Sequence, residues 1–210
     1  MTLIVELHPV TPQKRHLQSL ADTVRRGEVL AYPTDAGYAL GCALDSREGL
    51  RRICQIRALP EDHHFTLMCR DLSEISQYAL VSDGNYRILK RETPGPFTFI
   101  LPATRDVPKK LQHPKKKTIG LRIPDHPVAQ GLLELVGTPL LTTSMILPGQ
   151  REPITDPALL ADQLKKRIEA IALCGEGSST PTTLIDMTGP RPVLLRQGRG
   201  EAPWALAGDD

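Results

Sequence analysis

The chain has 210 residues, of which 40% are hydrophobic and 24% are charged, and its net charge is +2. A chain of this length buries roughly 70% of its unfolded surface, so it needs no disulfide or metal ion to fold. No apolar run approaches about 18 residues, and the first residues lack the pattern of a secretion signal, which excludes a membrane-spanning helix and predicts a cytoplasmic protein.

The N-terminal part of the chain begins with a strand pattern at 3–7. A helix is expected to begin after 11–12, a Thr-Pro pair suited to a helix start, and to end at Gly27. Two apolar runs, 29–32 and 38–44, then predict a pair of strands joined by a short turn.

The turn between these strands is Pro33-Thr34-Asp35. A short loop between buried strands is rigid, so it can present a hydroxyl and a carboxylate accurately to a ligand. An ordinary turn that contains Asp is the alternative interpretation.

Beyond the turn, helices and strands mix without strict alternation, which predicts an α+β or mixed α/β sheet instead of a repeated βαβ barrel. Helices are predicted to begin at Ser46, Asp71, Ser82, His126-Pro127 and Asp156-Pro157. Strands are predicted at 65–69, 97–101, 118–123, 140–145, 168–173, 182–187 and 193–196. The small, polar tail after Gly198 is predicted to be mobile.

Three strands carry residues suited to an anionic ligand. Hydroxyls follow an apolar run at 142–144, and Arg122 and Arg196 each lie among apolar neighbours. An arginine in a strand is costly to bury unless it meets an anion, and its planar fork fits phosphate or carboxylate. Alternation along the strand can instead place either arginine on the solvent face.

A basic run could attract polyphosphate or RNA, and a solvated loop is the alternative interpretation. Its members are Lys109, Lys110, Lys115, Lys116 and Lys117.

Two weaker patterns remain. His63 and His64 are adjacent, would point in different directions from a strand, and have no third ligand at metal spacing, so no protein-bound metal is predicted. Asp35 and Asp186 could form a carboxylate pair. A hydrolase that uses the two histidines and Asp35 has no supporting nucleophile or metal motif, and no residue is assigned as catalytic.

Seven segments are informative when they are considered together: AYPTDAGYALGC, ICQIRALPEDHHFTLM, TPGPFTFIL, TIGLRIPDHPVAQ, PLLTTSM, TTLIDMT and VLLRQG. In this order and at this spacing they resemble the threonylcarbamoyl-adenylate synthase family, also called YrdC-like. The phrases IRALPEDHHFTLMCRD and KTIGLRIP are most similar to its YciO branch.

The resemblance implies one YrdC-like domain over 1–210, with its core at about 10–200 and a mobile tail at 201–210. The implied fold is α+β, a twisted mixed parallel and antiparallel sheet flanked by helices, with a concave positive groove. Family members condense L-threonine, bicarbonate and ATP into threonylcarbamoyl-AMP, which a partner transferase uses to modify tRNA. Some members have been assigned double-stranded RNA binding, and Mg²⁺ would accompany ATP.

The motifs also imply site residues. Thr34, Arg122 and Thr182 fall where the family holds threonine. Those that fall where it holds the nucleotide, AMP or ATP, and its phosphates are Arg57, Thr118, Thr142, Ser144 and Arg196.

Two motifs depart from the family pattern. Active members carry K-x-R where this chain has Arg57-Ala58-Leu59, and S-x-N where it has Ser144-Met145-Ile146. Leu59 cannot donate a hydrogen bond and Ile146 lacks an amide. Loss of one donor at a reacting centre costs about 10²–10³ in rate. The sequence thus predicts either a nucleotidyltransferase-like synthase with weakened or lost activity, or a non-catalytic nucleotide- and RNA-binding protein.

Overall fold

The computed structural model describes residues 1–60 and 63–208, and an eleven-stranded sheet runs through them. The strands are β1 (Leu3–Glu6), β2 (Leu30–Thr34), β3 (Gly37–Ala43), β4 (Thr66–Met68), β5 (Phe97–Pro102), β6 (Thr118–Arg122), β7 (Leu140–Ser144), β8 (Ala170–Leu173), β9 (Thr183–Asp186), β10 (Val193–Arg196) and β11 (Leu206–Ala207). Their order in the sheet is β1-β8-β2-β3-β7-β4-β6-β5-β9-β10-β11.

Both kinds of strand pairing occur. The pairs β1–β8, β2–β8, β4–β6, β5–β9 and β10–β11 are parallel. The pairs β2–β3, β3–β7, β4–β7, β5–β6 and β9–β10 are antiparallel. The predicted α+β fold with a mixed sheet is therefore confirmed.

Six α-helices flank the sheet within the described residues: α1 (Lys14–Arg25), α2 (Arg47–Arg57), α3 (Leu72–Tyr78), α4 (Asp83–Glu92), α5 (Pro127–Val136) and α6 (Pro157–Leu164). Helices α1 and α5 pack on one face, over alternate residues of β2 such as Leu30 and Tyr32. The other four helices contribute to a second apolar cluster with Val29 and Ala31. The period-two alternation of β2 thus divides the core into two layers. None of the described helices is long and apolar enough to cross a membrane.

Local capping explains most helix starts. The side chains of Ser46, Asp71, Ser82, His126 and Asp156 each accept a hydrogen bond from a backbone N–H of the first turn, as predicted. The predicted Thr11-Pro12 start of α1 is wrong. Gln13 precedes the helix without capping it, and its Oε1 accepts from the His8 amide at 3.2 Å, while the Thr11 hydroxyl and amide both contact Nδ1 of His8.

Of the tail 201–210, residues 201–208 are described and residues 209–210 lie outside the described residues, and the mobility of the tail stays a prediction. Ala202 is buried, and the Trp204 ring lies 6.2 Å from that of Phe97. Strand β11 pairs with β10. Composition alone could not predict these contacts, because the partners of the single tryptophan are distant in the sequence.

Candidate functional site

A cavity of about 490 Å³ lies against the sheet and is lined by alternate residues of β4, β5, β6 and β7 among others. All eight residues that the motifs assigned to threonine or nucleotide line it: Thr34, Arg57, Thr118, Arg122, Thr142, Ser144, Thr182 and Arg196. They come from four strands, one helix end and one loop, so only the folded sheet brings them together. Their individual roles toward a ligand stay predictions.

One wall of the cavity is the β2–β3 turn. The Thr34 hydroxyl donates to the carbonyl of Gly37 at 2.7 Å and accepts from the amide of Ala36 at 3.1 Å, which fixes the turn. Gly37 has φ +95°, and a Cβ there would lie 2.3 Å from the carbonyl oxygen of Ser178. The backbone conformation and the close approach both require glycine.

Arg122 lies at the end of β6 and is 7% exposed, so its predicted alternative on the solvent face is wrong. Its guanidinium forms an ion pair with the carboxylate of Asp35. The pair makes a single contact. Oδ2 of Asp35 and Nε of Arg122 are buried, and neither has a hydrogen-bond partner among the described residues. The pair thus leaves one buried donor and one buried acceptor unmatched, which is costly.

A second arginine borders the cavity near β9. Arg196 donates from Nη2 to the carbonyl of Thr182 at 3.0 Å, and partial burial lowers the pKa of its guanidinium. The hydroxyls of Thr182 and Thr98 are 2.8 Å apart. Arg196 is exposed on its strand yet still contributes to the cavity wall.

Arg57, at the end of α2, contributes a third guanidinium. Its Nε donates to the carbonyl of Ile146 at 2.8 Å, and its Nη1 donates to the Thr143 hydroxyl at 2.6 Å. Burial lowers the pKa of the Arg57 side chain. Ile146 also lines the cavity, whereas Leu59 packs against the hydrophobic core. The two departures from the family motifs are therefore unequal in position.

Two histidines border the cavity. His63 and His64 precede β4, and both line the cavity. Nε2 of His63 is 3.3 Å from the Thr143 hydroxyl. The ring of His64 stacks on that of His113, with centroids 4.8 Å apart. Sequence reasoning missed His113, because its partner is distant in the sequence.

The basic run is only partly in the cavity. Lys116 lines the wall, while Lys109 and Lys110 begin a short 3₁₀ turn beyond it. Nδ1 of His113 accepts hydrogen bonds from the amides of Lys115 and Lys116, at 3.2 and 3.1 Å. His113 therefore shapes the loop that carries the lysines.

Other polar groups of the wall are satisfied internally. The Thr142 hydroxyl accepts from the Tyr32 hydroxyl at 3.0 Å and donates to the carbonyl of Leu40 at 3.2 Å. Burial raises the pKa of Tyr32, so it stays a neutral donor. The predicted pair of carboxylates has separate partners, because Asp35 binds Arg122 while Asp186 accepts from the Thr188 hydroxyl at 2.6 Å.

Charge in the cavity favours an anion. The basic side chains among the lining residues are Arg57, His63, His64, His113, Lys116, Arg122 and Arg196. Of the described lining residues, Asp186 alone carries a carboxylate. No cluster of three His, Cys, Asp or Glu side chains suited to a metal ion occurs in the described part of the chain. The cavity thus fits phosphate and carboxylate groups.

Comparisons with known proteins identify the family of the chain. The Sua5/YciO/YrdC family model, described as Telomere recombination, matches residues 22–198. YciO of Escherichia coli (strain K12) is 46% identical over 201 residues, which are 96% of this chain and 98% of the relative. A threonylcarbamoyl-AMP synthase of Vibrio vulnificus (strain YJ016) is 32% identical over 188 residues, 87% of this chain and 98% of the relative.

Solved structures give the same result. The crystal structure of E. coli YciO matches with a TM-score of 0.93 at 46% identity and covers 98% of this chain and 100% of that one. P. abyssi Sua5 complexed with L-threonine matches with a TM-score of 0.86 at 26% identity and covers 94% of this chain and 58% of that one. The chain belongs to the Sua5/YciO/YrdC family and is a relative of the threonylcarbamoyl-AMP synthases.

Proposed function

We propose that the cavity binds L-threonine and an adenine nucleotide together, and that the protein forms threonylcarbamoyl-AMP slowly from L-threonine, bicarbonate and ATP. The observation that carries this proposal is the buried Arg122–Asp35 pair with its unmatched donor and acceptor. Arg122 lines the cavity and its guanidinium matches the carboxylate of an amino acid, while Asp35, which is not among the lining residues, supplies the countercharge of Arg122. The hydroxyls of Thr34 and Thr182 line the same cavity.

The reaction would proceed in two balanced steps. The threonine amine condenses with bicarbonate to a carbamate and releases water. A carbamate oxygen then attacks the α-phosphorus of ATP, and pyrophosphate leaves with the bond that breaks. Arg196 and Arg57 line the cavity and would stabilise the negative charge that develops on the leaving pyrophosphate. Mg²⁺ would arrive bound to ATP as part of the substrate.

Slow turnover follows from the contacts of Arg57. Two of its donors bind Ile146 and Thr143, which reduces what the guanidinium can offer to phosphate. Ile146 contributes an apolar side chain to the wall where active members carry an amide. Both features weaken stabilisation of the transition state more than they weaken binding.

Calorimetry and pyrophosphate release test this function. L-threonine and AMP should each bind, and release from ATP should require both threonine and bicarbonate. Arg122→Met should abolish threonine binding, whereas Lys109→Ala, at an exposed position outside the cavity, should leave it unchanged. Equal pyrophosphate release without threonine or without bicarbonate would refute the synthase assignment.

A second candidate function, binding of tRNA or double-stranded RNA, is supported by the position of the basic run. Lys116 lies in the cavity wall, and Lys115 and Lys117 are exposed next to it. Positive charge would therefore extend from the cavity over the adjoining loop, where phosphates of a nucleic acid could bind.

A further inference from the structure

We propose that Arg199 is a positioning residue of the cavity, which holds the Asp35 turn from the C-terminal side and so sets Arg122 for the amino acid. The effect on ligand affinity rests on the proposed function, whereas the effect on the turn does not. The Arg199 guanidinium donates to the backbone carbonyl of Asp35, 164 positions away in the sequence. Asp35 also binds Arg122, through its side-chain carboxylate.

Asp35 is thus held by two arginines through two different groups. Arg199 uses the neutral carbonyl, which leaves the carboxylate charge for Arg122. The neighbouring Thr34 hydroxyl is tied within the same turn to Gly37. A shift of the Asp35 backbone would therefore move the carboxylate that orients Arg122 and the hydroxyl beside it.

The backbone that carries Arg199 is itself firmly placed. The Arg199 amide donates to the carbonyl of Pro181 at 3.0 Å, and the Gly198 amide donates to the Thr183 hydroxyl at 3.0 Å. A Cβ on Gly198 would lie 2.3 Å from the carbonyl oxygen of Pro181, and one on Gly200 would lie 2.4 Å from the Phe97 ring. Such close approach fixes where the Arg199 side chain starts.

Because its backbone is fixed, the exposed Arg199 side chain can hold the Asp35 turn. Arg199 follows Arg196 by three positions, and Arg196 binds the carbonyl of Thr182 in the cavity wall. The C-terminal segment 196–199 therefore joins the cavity wall at Thr182 to the Asp35 turn. Loss of the Arg199 contact should loosen the turn while the Arg196 contact stays in place.

Two variants separate the contact from general effects of charge. Arg199→Met keeps much of the aliphatic stem and removes the donor, and Arg199→Lys restores a cationic donor. Arg191→Met removes an exposed arginine from the β9–β10 connection and is the matched control. Hydrogen exchange of the Ala36 and Gly37 amides in the ligand-free protein measures the turn directly. Exchange should be faster in Arg199→Met, partly restored in Arg199→Lys and unchanged in Arg191→Met.

Calorimetry gives the second measurement. Arg199→Met should weaken the binding of L-threonine by about 10-fold, which is the effect of one lost hydrogen bond to a charged group, and should leave the affinity for AMP unchanged. Unchanged exchange in the turn overturns the proposal. Faster exchange with unchanged threonine affinity overturns the role of Arg199 in binding. If the parent protein binds no threonine, the proposed function fails, and the exchange data still decide whether Arg199 holds the turn.

Discussion

The guanidinium of Arg57 donates to the backbone carbonyl of Ile146 at 2.8 Å, so two residues that depart from the family motifs touch each other. The first stands where active members carry lysine and the second where they carry asparagine. A second donor of Arg57 binds the Thr143 hydroxyl. The altered pair is thus a structural contact, and it directs the arginine partly toward the protein instead of the ligand.

Restoring an amide at position 146 should increase synthase activity. Ile146 lines the cavity, so Ile146→Asn places a donor and an acceptor in its wall. Threonine- and bicarbonate-dependent pyrophosphate release should rise by about 10²-fold, since one donor at a reacting centre is worth that order of rate.

The second restoration should behave differently. Leu59 packs against the core, so Leu59→Arg should lower thermal stability and add little activity alone. Steady-state rates and melting curves of both single variants and the double variant check this contrast. A larger gain from Leu59→Arg than from Ile146→Asn would contradict our view of which position faces the ligand.

Removing the Asp35 carboxylate should destabilise the fold. Asp35→Asn leaves a buried guanidinium without its countercharge, which costs about 3–5 kcal/mol in free energy of unfolding. Adding Arg122→Met should recover part of that loss, because no unpaired charge then remains. Urea unfolding of the two single variants and the double variant measures the coupling. Additive losses would show that the two side chains do not depend on each other.

Much of the fold can be predicted from short segments of the sequence. Caps such as Ser46 and Asp71 act within one helical turn, and apolar alternation sets which face of β2 each residue occupies. These signals need no knowledge of distant residues. The predicted helix start at Thr11 was wrong although its signal is also local. The Thr11 hydroxyl contacts Nδ1 of His8 and does not cap the helix.

The site is predictable only in part. Family spacing identified the residues of the wall, but pairing depends on contacts that no local pattern records. Arg122 and Asp35 are 87 positions apart, and Arg199 and Asp35 are 164 apart. Trp204 likewise contacts Phe97 only after the sheet forms, so no local pattern records that contact.

The basic loop should contribute to RNA binding through charge. Lys115→Glu with Lys116→Glu should weaken binding to a structured RNA and reduce the slope of log K against log salt by about two. Lys14→Glu with Lys90→Glu changes net charge equally at exposed sites on other elements and is the control. Fluorescence anisotropy over a series of KCl concentrations gives both quantities. Equal weakening by the two pairs would indicate an effect of overall charge only.

His126 should make stability fall in acid. Its Nδ1 accepts from the amide of Val128 at 3.2 Å, and burial lowers its pKa from the ordinary 6.5, with Asp35 opposing. As pH falls below about 6.5 the unfolded chain binds the proton first, so the free energy of unfolding declines until the folded-state pKa is passed. Above that range this contribution is constant.

His126→Asn keeps a cap acceptor and cannot titrate. Its free energy of unfolding should therefore depend less on pH than that of the parent between about pH 7.5 and 5. Urea unfolding at several pH values compares the two profiles. Parallel profiles would assign the acid sensitivity to other groups.

Two glycines with left-handed backbones separate strain from close approach. Gly37 has φ +95° and meets the Ser178 carbonyl, whereas Gly137 has φ +80° with nothing within 4 Å of a Cβ. Gly137→Ala should cost about 1 kcal/mol through its backbone alone. Gly37→Ala should cost about 2–4 kcal/mol, because the turn or the facing loop must also move. Since the Thr34 hydroxyl donates to the Gly37 carbonyl, Gly37→Ala should also weaken the binding of L-threonine, whereas Gly137→Ala should not. Chemical unfolding and calorimetry of both variants test this, and equal costs would mean that the Ser178 contact imposes no constraint on the cavity.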